Sequence, residues 1–223
     1  MRVLLLGASG MVGQGVLREC LLAADVTQVV SIVRTPGGLA HPKLRELRHA
    51  DFTDFSPLEP ELAGLDACFF CLGATSAGKS EAEYTRLTYD VTLALAVPLA
   101  RLSPGLTFVF VSGAGTDSSE RGPTMWARVK GRTENALLAL PFKAAFMFRP
   151  AFIQPVHGEV SKTPAYRTLY RLLRPLIPLI RLVLPGSFTT TERIGRAMLE
   201  AARHGAPKRV MESPDIDALA GQG

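Results

Sequence analysis

Residues 2–15 read RVLLLGASGMVGQG, an apolar run that stops at Gly7 and continues with glycines three apart, at Gly7, Gly10 and Gly13. Val3 to Leu6 has the composition of a short buried strand, and Val12, Val16, Leu17 and Leu21 recur at helical spacing. The glycines therefore fall at a strand-to-helix turn. At such a turn Gly7 permits the tight bend, Gly10 lets backbone approach a phosphate with no Cβ between them, and Gly13 lets the helix lie close on the strand. Unpaired N–H groups at the helix start would then face a pyrophosphate. Any tight loop can use glycine, so the reading rests on the strand before this one and the helix after it.

Further along the chain, Gln28–Val33, Leu44–His49 and Asp66–Leu72 read as strands, and Glu81–Arg101 as a long helix. Leu106–Val111 is a fully apolar fifth strand, Thr124–Leu140 a helix, and Lys143–Phe148 a sixth strand. Strands alternating with helices predict an α/β fold: a Rossmann-type, doubly wound parallel sheet with crossover helices. Near-continuous apolar strands agree with burial on both faces. Beyond Arg149-Pro150 the pattern becomes irregular, then runs through Tyr166–Leu184, interrupted at Pro175 and Pro178. The spacing Thr189-x-x-Glu192 is that of a capping box and predicts a last helix to about His204. The expected organisation is a dinucleotide domain over residues 1–150 and a smaller substrate-side region over 151–223 packed on it.

With 223 residues, 47% hydrophobic and 20% charged, the chain can bury a sizeable core. No stretch approaches the roughly eighteen apolar residues of a membrane span, so membrane contact is not expected. Val3–Leu6 is too short for a signal-peptide core, which predicts a cytoplasmic protein. The net charge of +5 is spread out apart from arginines 167, 171, 174 and 181, which argues against nucleic acid as a partner. In the segment Tyr166–Arg174, leucines and arginines take different faces, as in a helix covering a sheet edge, a lid over an anionic substrate, or an amphipathic stretch resting on a membrane or partner, the first being the ordinary reading. Cys68 and Cys71 form a C-x-x-C within an apolar strand, where residues three apart point to opposite faces. They read as reduced core residues, and no metal site is expected.

In dinucleotide folds an acidic residue ending the second strand grips the ribose, whereas an arginine accommodates a 2′-phosphate. Here the strand ends Ser31-Ile32-Val33-Arg34, which predicts NADP rather than NAD. Asp51, with Phe52, follows the third strand and is placed to meet the adenine edge, although Asp51 and Asp54 are equally good turn formers. Residues Gly73–Ser80, GATSAGKS, fit the phosphate-loop pattern G-x-x-x-x-G-K-S and also lie between a strand and a helix. A P-loop NTPase further needs a metal-holding aspartate at a neighbouring strand end, and the strands ending at Gly7, Arg34, Ser112 and Arg149 supply none. The first loop is therefore the stronger nucleotide site.

Ser112 ends the fifth strand, and Trp126-Ala127-Arg128-Val129-Lys130 follows on the next helix. With GASGMVG, FFCLGAT, GKS, FVFVSGAG, WARVKGRTE and FRPAFIQP, the chain resembles atypical members of the short-chain dehydrogenase/reductase superfamily. It looks most like the group related to the Tat-interacting protein and like bacterial NAD-dependent epimerase/dehydratase-type proteins. The likeness covers residues 1 to about 155 and, weakly, the last helix. It implies an NADP(H)-binding oxidoreductase or epimerase acting on a small carbonyl or hydroxyl compound, or a cofactor-bound sensor that has lost turnover.

In that superfamily the tyrosine of a Tyr-x-x-x-Lys pair transfers the proton, the lysine lowers its pKa and holds the nicotinamide ribose, and a serine orients the carbonyl. Carried over, Lys130 is in place and Ser112 approximate, because Gly113 and Ala114 occupy the adjoining serine positions. The tyrosine position is Trp126, whose indole N–H only donates and does not titrate usefully. Tyr84, Tyr89, Tyr166 or a water could supply the proton instead. Lys130 could hold the nicotinamide ribose or pair with Glu134 one turn on. The implied cofactor site takes Gly7, Ala8, Ser9, Gly10, Met11, Val12 and Gly13 from the first loop and Arg34 from the second strand end. Asp51 and Phe52, then Cys71, Leu72 and Gly73 after the fourth strand, and Lys130 complete it. Pairing of two copies through the helices 81–101 and 124–140 is expected by the same resemblance.

Overall fold

A computed structural model describes residues 1–159 and 185–222. Seven strands form one sheet: β1 (Arg2–Leu6), β2 (Gln28–Val33), β3 (Leu44–Arg48), β4 (Ala67–Phe70), β5 (Thr107–Val111), β6 (Ala144–Arg149) and β9 (Val210–Glu212). Their order is β3-β2-β1-β4-β5-β6-β9, and every neighbouring pair is parallel. This is the doubly wound Rossmann arrangement with one strand added at the β6 edge. Two short strands, β7 (Phe152–Gln154) and β8 (Phe188–Thr190), pair separately.

The continuous apolar runs are explained by cover on both faces. On one face Val3, Leu5, Val29, Phe69 and Val109 pack beneath α1 (Met11–Leu22) and α6 (Thr191–His204). On the other, Leu4, Leu6, Val30, Phe70 and Phe108 pack beneath α4 (Val91–Leu102) and α5 (Met125–Ala139). Leu4, Leu5 and Leu6 are wholly buried, each stabilising the fold by roughly 2 kcal/mol. The short α2 (Glu59–Leu62) completes this second layer beside β3, with Leu62 in the same core. Cys68 and Cys71 belong to opposite faces, Cys68 in the second core and Cys71 against the first, and both are free thiols. Burial raises the thiol pKa of each.

The helix predicted over 81–101 consists of α3 (Glu81–Thr85) and α4, joined through a π turn at Arg86–Asp90. Past residue 150 the structure contains more than the sequence suggests. The N-cap of α6 is Thr190, whose hydroxyl accepts from the Arg193 amide, and not Thr189, whose hydroxyl donates to Asp217. α7 (Ser213–Ala220) follows β9, so the helix ending at His204 is not the last. These elements are hidden in the sequence because β7, β8 and β9 are three residues each, too short for a periodic pattern.

Residues 185–222 complete the first layer and the sheet. α6 lies directly on α1 through two glycines: a methyl at Gly15 would come within 2.6 Å of Thr191, and one at Gly195 within 2.8 Å of Glu19. Glu19, buried at this contact, takes Arg18 and, at 3.3 Å, Arg196. The segment Tyr166–Leu184, with Tyr166 and its arginines, lies outside the described residues.

Candidate functional site

The chain runs outward from β1 to β2 and β3 on one side and then crosses back to β4 on the other side of β1, so the crevice beyond the ends of β1 and β4 is the topological switch point where doubly wound folds hold ligands. The first glycine loop sits there. Gly7 has φ +86°, and a Cβ on it would stand 2.6 Å from the Cys71 carbonyl carbon and 2.7 Å from the Leu72 amide nitrogen. A Cβ on Gly13 would lie 2.0 Å from the Gly7 carbonyl oxygen, so the start of α1 rests on the turn itself. Gly10 is the N-cap of α1 and donates to the Gly7 carbonyl at 2.9 Å. A Cβ there would meet only that oxygen, at 3.3 Å, which leaves its outer side open.

No side chain caps α1, and no acidic residue stands in its first turn. The opening amides, with Met11 and Val12 half-buried beside them, therefore find no side-chain acceptor, which is the condition for an anion site. Ala8 is buried and Ser9 exposed in the same turn. Across the crevice, Cys71 and Leu72 are half-buried, and a Cβ on Gly73 would have nothing within 4 Å.

Arg34 is exposed just past β2. Arg48, at the end of β3 and also exposed, is in register with Val33, so two exposed arginines stand at the ends of neighbouring strands. Sequence alone does not single out Arg48, since only the β2–β3 register brings it beside Arg34. Asp51 closes its own turn, accepting from the Thr53 amide at 2.8 Å and from its hydroxyl, and these bonds hold its pKa below the usual carboxylate value. Phe52 packs edge-on against Phe55, with ring centres 5.7 Å apart, and against His49.

The second glycine loop is built differently. Ser80 is the N-cap of α3: its hydroxyl accepts from the Glu83 amide, and the Glu83 carboxylate accepts from the Ser80 amide at 2.8 Å. The hydroxyl that a P-loop would give to a metal ion is thus engaged in a capping box. Among the described residues no cluster of three or more metal-ligating side chains occurs.

Beyond β5 the site is organised by a buried ion pair. Glu134 on α5 is fully buried and accepts from the Arg149 Nε at 3.0 and 3.2 Å, and from its Nη2. Ser112 is buried too, and its hydroxyl contacts the Glu134 carboxylate and, at 3.1 Å, the Phe148 carbonyl. It is therefore turned into the protein, where it ties β5 to α5 and β6, rather than toward a substrate. Arg149 also donates to Ser118 in the loop after β5. Neither Glu134 nor Arg149 stands out in the sequence, where the first reads only as a partner of Lys130 and the second as a strand end.

Lys130 does not form the alternative pair with Glu134. Its ammonium donates to the Ser112 backbone carbonyl, and none of the described carboxylates lies in ion-pair contact with it. Burial lowers its pKa from 10.5 to about 8, opposed by the more distant Glu134 charge. The nitrogen stands 3.9 Å from where a Cβ on Gly113 would be, at the mouth between β5 and β6. One turn earlier on α5, Trp126 rests its ring on Gly115, 3.5 Å from the Cβ position there. Of the tyrosines considered as acids, Tyr84 is buried with its pKa raised by burial, and Tyr89 lies under the Arg132 guanidinium at 4.4 Å.

A glycine turn at the switch point and an uncapped helix start are the features of a dinucleotide-binding protein. The chain belongs to the NAD(P)H-binding family, whose pattern matches residues 7–139, more than half its length. It is 30% identical over 158 residues to the protein fmp52, mitochondrial, of Emericella nidulans, an alignment covering 68% of this chain and 66% of that protein. The chain thus spans just under two thirds of that relative. To FMP52, mitochondrial, of Saccharomyces cerevisiae it is 31% identical over 162 residues, covering 71% of this chain and 67% of that protein.

Among solved structures, the Bordetella bronchiseptica enzyme WbmF in complex with NAD+ superposes with a TM-score of 0.67 at 19% identity, over 99% of this chain and 76% of that one. UDP-glucose 4-epimerase with UDP-glucose, from Thermotoga maritima, gives 0.67 at 15% identity, over 100% of this chain and 82% of that one. At these identities the likeness is one of fold, and it agrees with the resemblance to atypical short-chain dehydrogenase/reductases. The names of the fungal relatives overturn the cytoplasmic placement expected from sequence. That expectation rested on the shortness of Val3–Leu6, and the run is short because it is β1, an interior strand that carries no address.

Proposed function

We propose that the crevice binds NADP(H) and that the chain is an oxidoreductase or epimerase-like enzyme for a small carbonyl or hydroxyl compound. The observation that supports this reading most is the uncapped start of α1, lying against the Cys71–Leu72 exit of β4 at the switch point. The residues fit the cofactor: the turn has no room for side chains inside it and open space outside Gly10 and Gly73. Gly7 to Gly13 would hold the pyrophosphate, Arg34 and Arg48 a 2′-phosphate, and Lys130 the nicotinamide ribose. The cofactor, when bound, supplies or accepts a hydride. Arg34 and Arg48 have no partner among the described residues, and no carboxylate ends β2 to repel a phosphate.

Trp126 is the sole tryptophan and lies one turn from Lys130, so its fluorescence reports on the site. Titration is expected to quench it with NADPH in preference to NADH, and no response to either would remove the proposed site. Arg34→Asp should lower the NADPH/NADH affinity ratio by about tenfold, the loss of a charge-assisted contact of ~1.4 kcal/mol. An unchanged ratio would take Arg34 out of the pocket.

A second reading, a cofactor-bound sensor with little turnover, is favoured by Trp126 in the tyrosine position and by the inward-turned Ser112 hydroxyl. Absorbance assays of NADPH against a panel of aldehydes and ketones separate the two, because a sensor binds the cofactor and leaves it unoxidised.

A further inference from the structure

A buried lysine near a carboxylate one turn away on its own helix would ordinarily pair with it. Here that carboxylate is taken. Arg149, from the end of β6, holds Glu134 with two donor groups, and the Ser112 hydroxyl meets the same carboxylate. Arg149 is in turn backed by Glu212 on β9 at 3.8 Å. The opposite charge is therefore anchored behind the sheet edge, and the Lys130 ammonium is left with the neutral Ser112 carbonyl. Asp117, the carboxylate of the loop after β5, is spent on the Ser119 and Gly122 amides at 3.0 and 2.7 Å. Of the charged groups on the elements around Lys130, Glu134 alone acts on its titration, and burial outweighs it.

We propose that the Lys130 amine exchanges the proton with the substrate oxygen in this chain, with Arg149 and Ser112 as positioning residues that keep Glu134 from pairing with it. The proposal rests on the cofactor reading given above. A bound reduced nicotinamide would supply the hydride to the carbonyl carbon and be left oxidised, while the Lys130 ammonium gives its proton to the carbonyl oxygen. The C=O π bond becomes a C–H and an O–H bond, and the amine regains its proton from water. Oxidation is the reverse, with the neutral amine as base. The geometry suits this proton transfer, since the nitrogen sits beyond the ends of β5 and β6, 3.9 Å from the Cβ position of Gly113, which carries no side chain of its own. Trp126, stacked on Gly115, brings no titrating group of its own.

The test uses the full chain in three parallel measurements: Trp126 quenching by NADPH, NADPH oxidation by the carbonyl panel from pH 6 to 10, and competitive amine labelling of each lysine read by peptide mass spectrometry. Expected are a reduction rate that falls as pH rises through about 8, a Lys130 labelling midpoint at the same pH, and protection of Lys130 by NADPH. Lys130→Arg keeps the charge and donors but removes the titration, so it should lose on the order of 100-fold in rate together with the fall in rate through about pH 8. Arg149→Met frees Glu134 and should move the Lys130 midpoint upward.

A pH-independent rate, a Lys130→Arg variant as fast as the parent, or a Lys130 midpoint near 10.5 would each overturn the proposal. So would cofactor binding with no carbonyl reduced. If Arg149→Met fails to fold, Ser112→Ala, which removes the second hold on Glu134, reads the same midpoint. Loss of NADPH quenching in the parent chain is a different result, since it removes the cofactor reading itself.

Discussion

The two glycine loops of this protein, Gly7–Gly13 and Gly73–Ser80, follow neighbouring parallel strands and each leads into a helix, yet they end in opposite chemistry. At the first, the helix start has neither a side-chain cap nor an acidic residue, so its amides remain available to a ligand. At the second, Ser80 and Glu83 satisfy each other's backbone and the helix start is closed. A phosphate site is thus distinguished by what is left unmade at the helix terminus, which a glycine count does not report. Packing separates the loops as well. Gly13 is pressed against the turn before it, whereas Gly73 stands clear of everything within 4 Å.

The largest effect should come from Gly13→Ala, because a Cβ placed 2.0 Å from the Gly7 carbonyl forces α1 off the turn. Stability should fall by about 3 kcal/mol in chemical denaturation. NADPH affinity, read by Trp126 quenching, should drop on the order of 100-fold. Gly73→Ala, made in the parent chain, should leave stability unchanged, because a Cβ there meets nothing within 4 Å. Equal losses in the two variants would erase the distinction between the loops.

Ser80→Ala comes next. It should cost about 1 kcal/mol through the lost cap, while NADPH quenching stays where it was. A large loss of cofactor binding would show that the second loop belongs to the nucleotide site after all.

The smallest effect is one of pH. Backbone and side-chain hydrogen bonds from Ser80 hold the Glu83 pKa below its ordinary 4.5. Because the folded value is the lower one, this contribution is present in full above the unfolded pKa and is lost as pH falls through the folded value. Hydrogen exchange at the Glu83 amide, corrected for intrinsic rates, should accelerate on acidification below pH 4.5 relative to the Gln14 amide, whose first turn has no titrating group. Parallel behaviour of the two amides would mean that the box contributes nothing to order at α3.

Much of the first loop is legible in sequence because its determinants are local. The apolar run Val3–Leu6, the spacing of three glycines and the helical recurrence of Val12 and Val16 all act within one strand and one helix. The capping box at Ser80 and Glu83 is equally local, but in sequence it is overshadowed by the more familiar loop pattern beside it. The site beyond β5 is legible only in part. Lys130 can be placed on its helix, but the state of its amine depends on Arg149, which lies nineteen positions away in the chain and reaches Glu134 only across the β5–β6 edge. Arg48 joins Arg34 for a similar reason, through strand register.

By itself the sequence determined the doubly wound fold, the position of the first glycine loop and the presence of tryptophan, not tyrosine, at position 126. Each of these follows from short-range periodicity or from residue type, and survives without knowledge of contacts. The tertiary structure decided which glycine loop keeps open donors, that Ser112 faces inward, and that Glu134 answers to Arg149 and leaves Lys130 unpaired. Those outcomes turn on competition among partners from separate strands, and a buried charge takes whichever partner the sheet brings within reach.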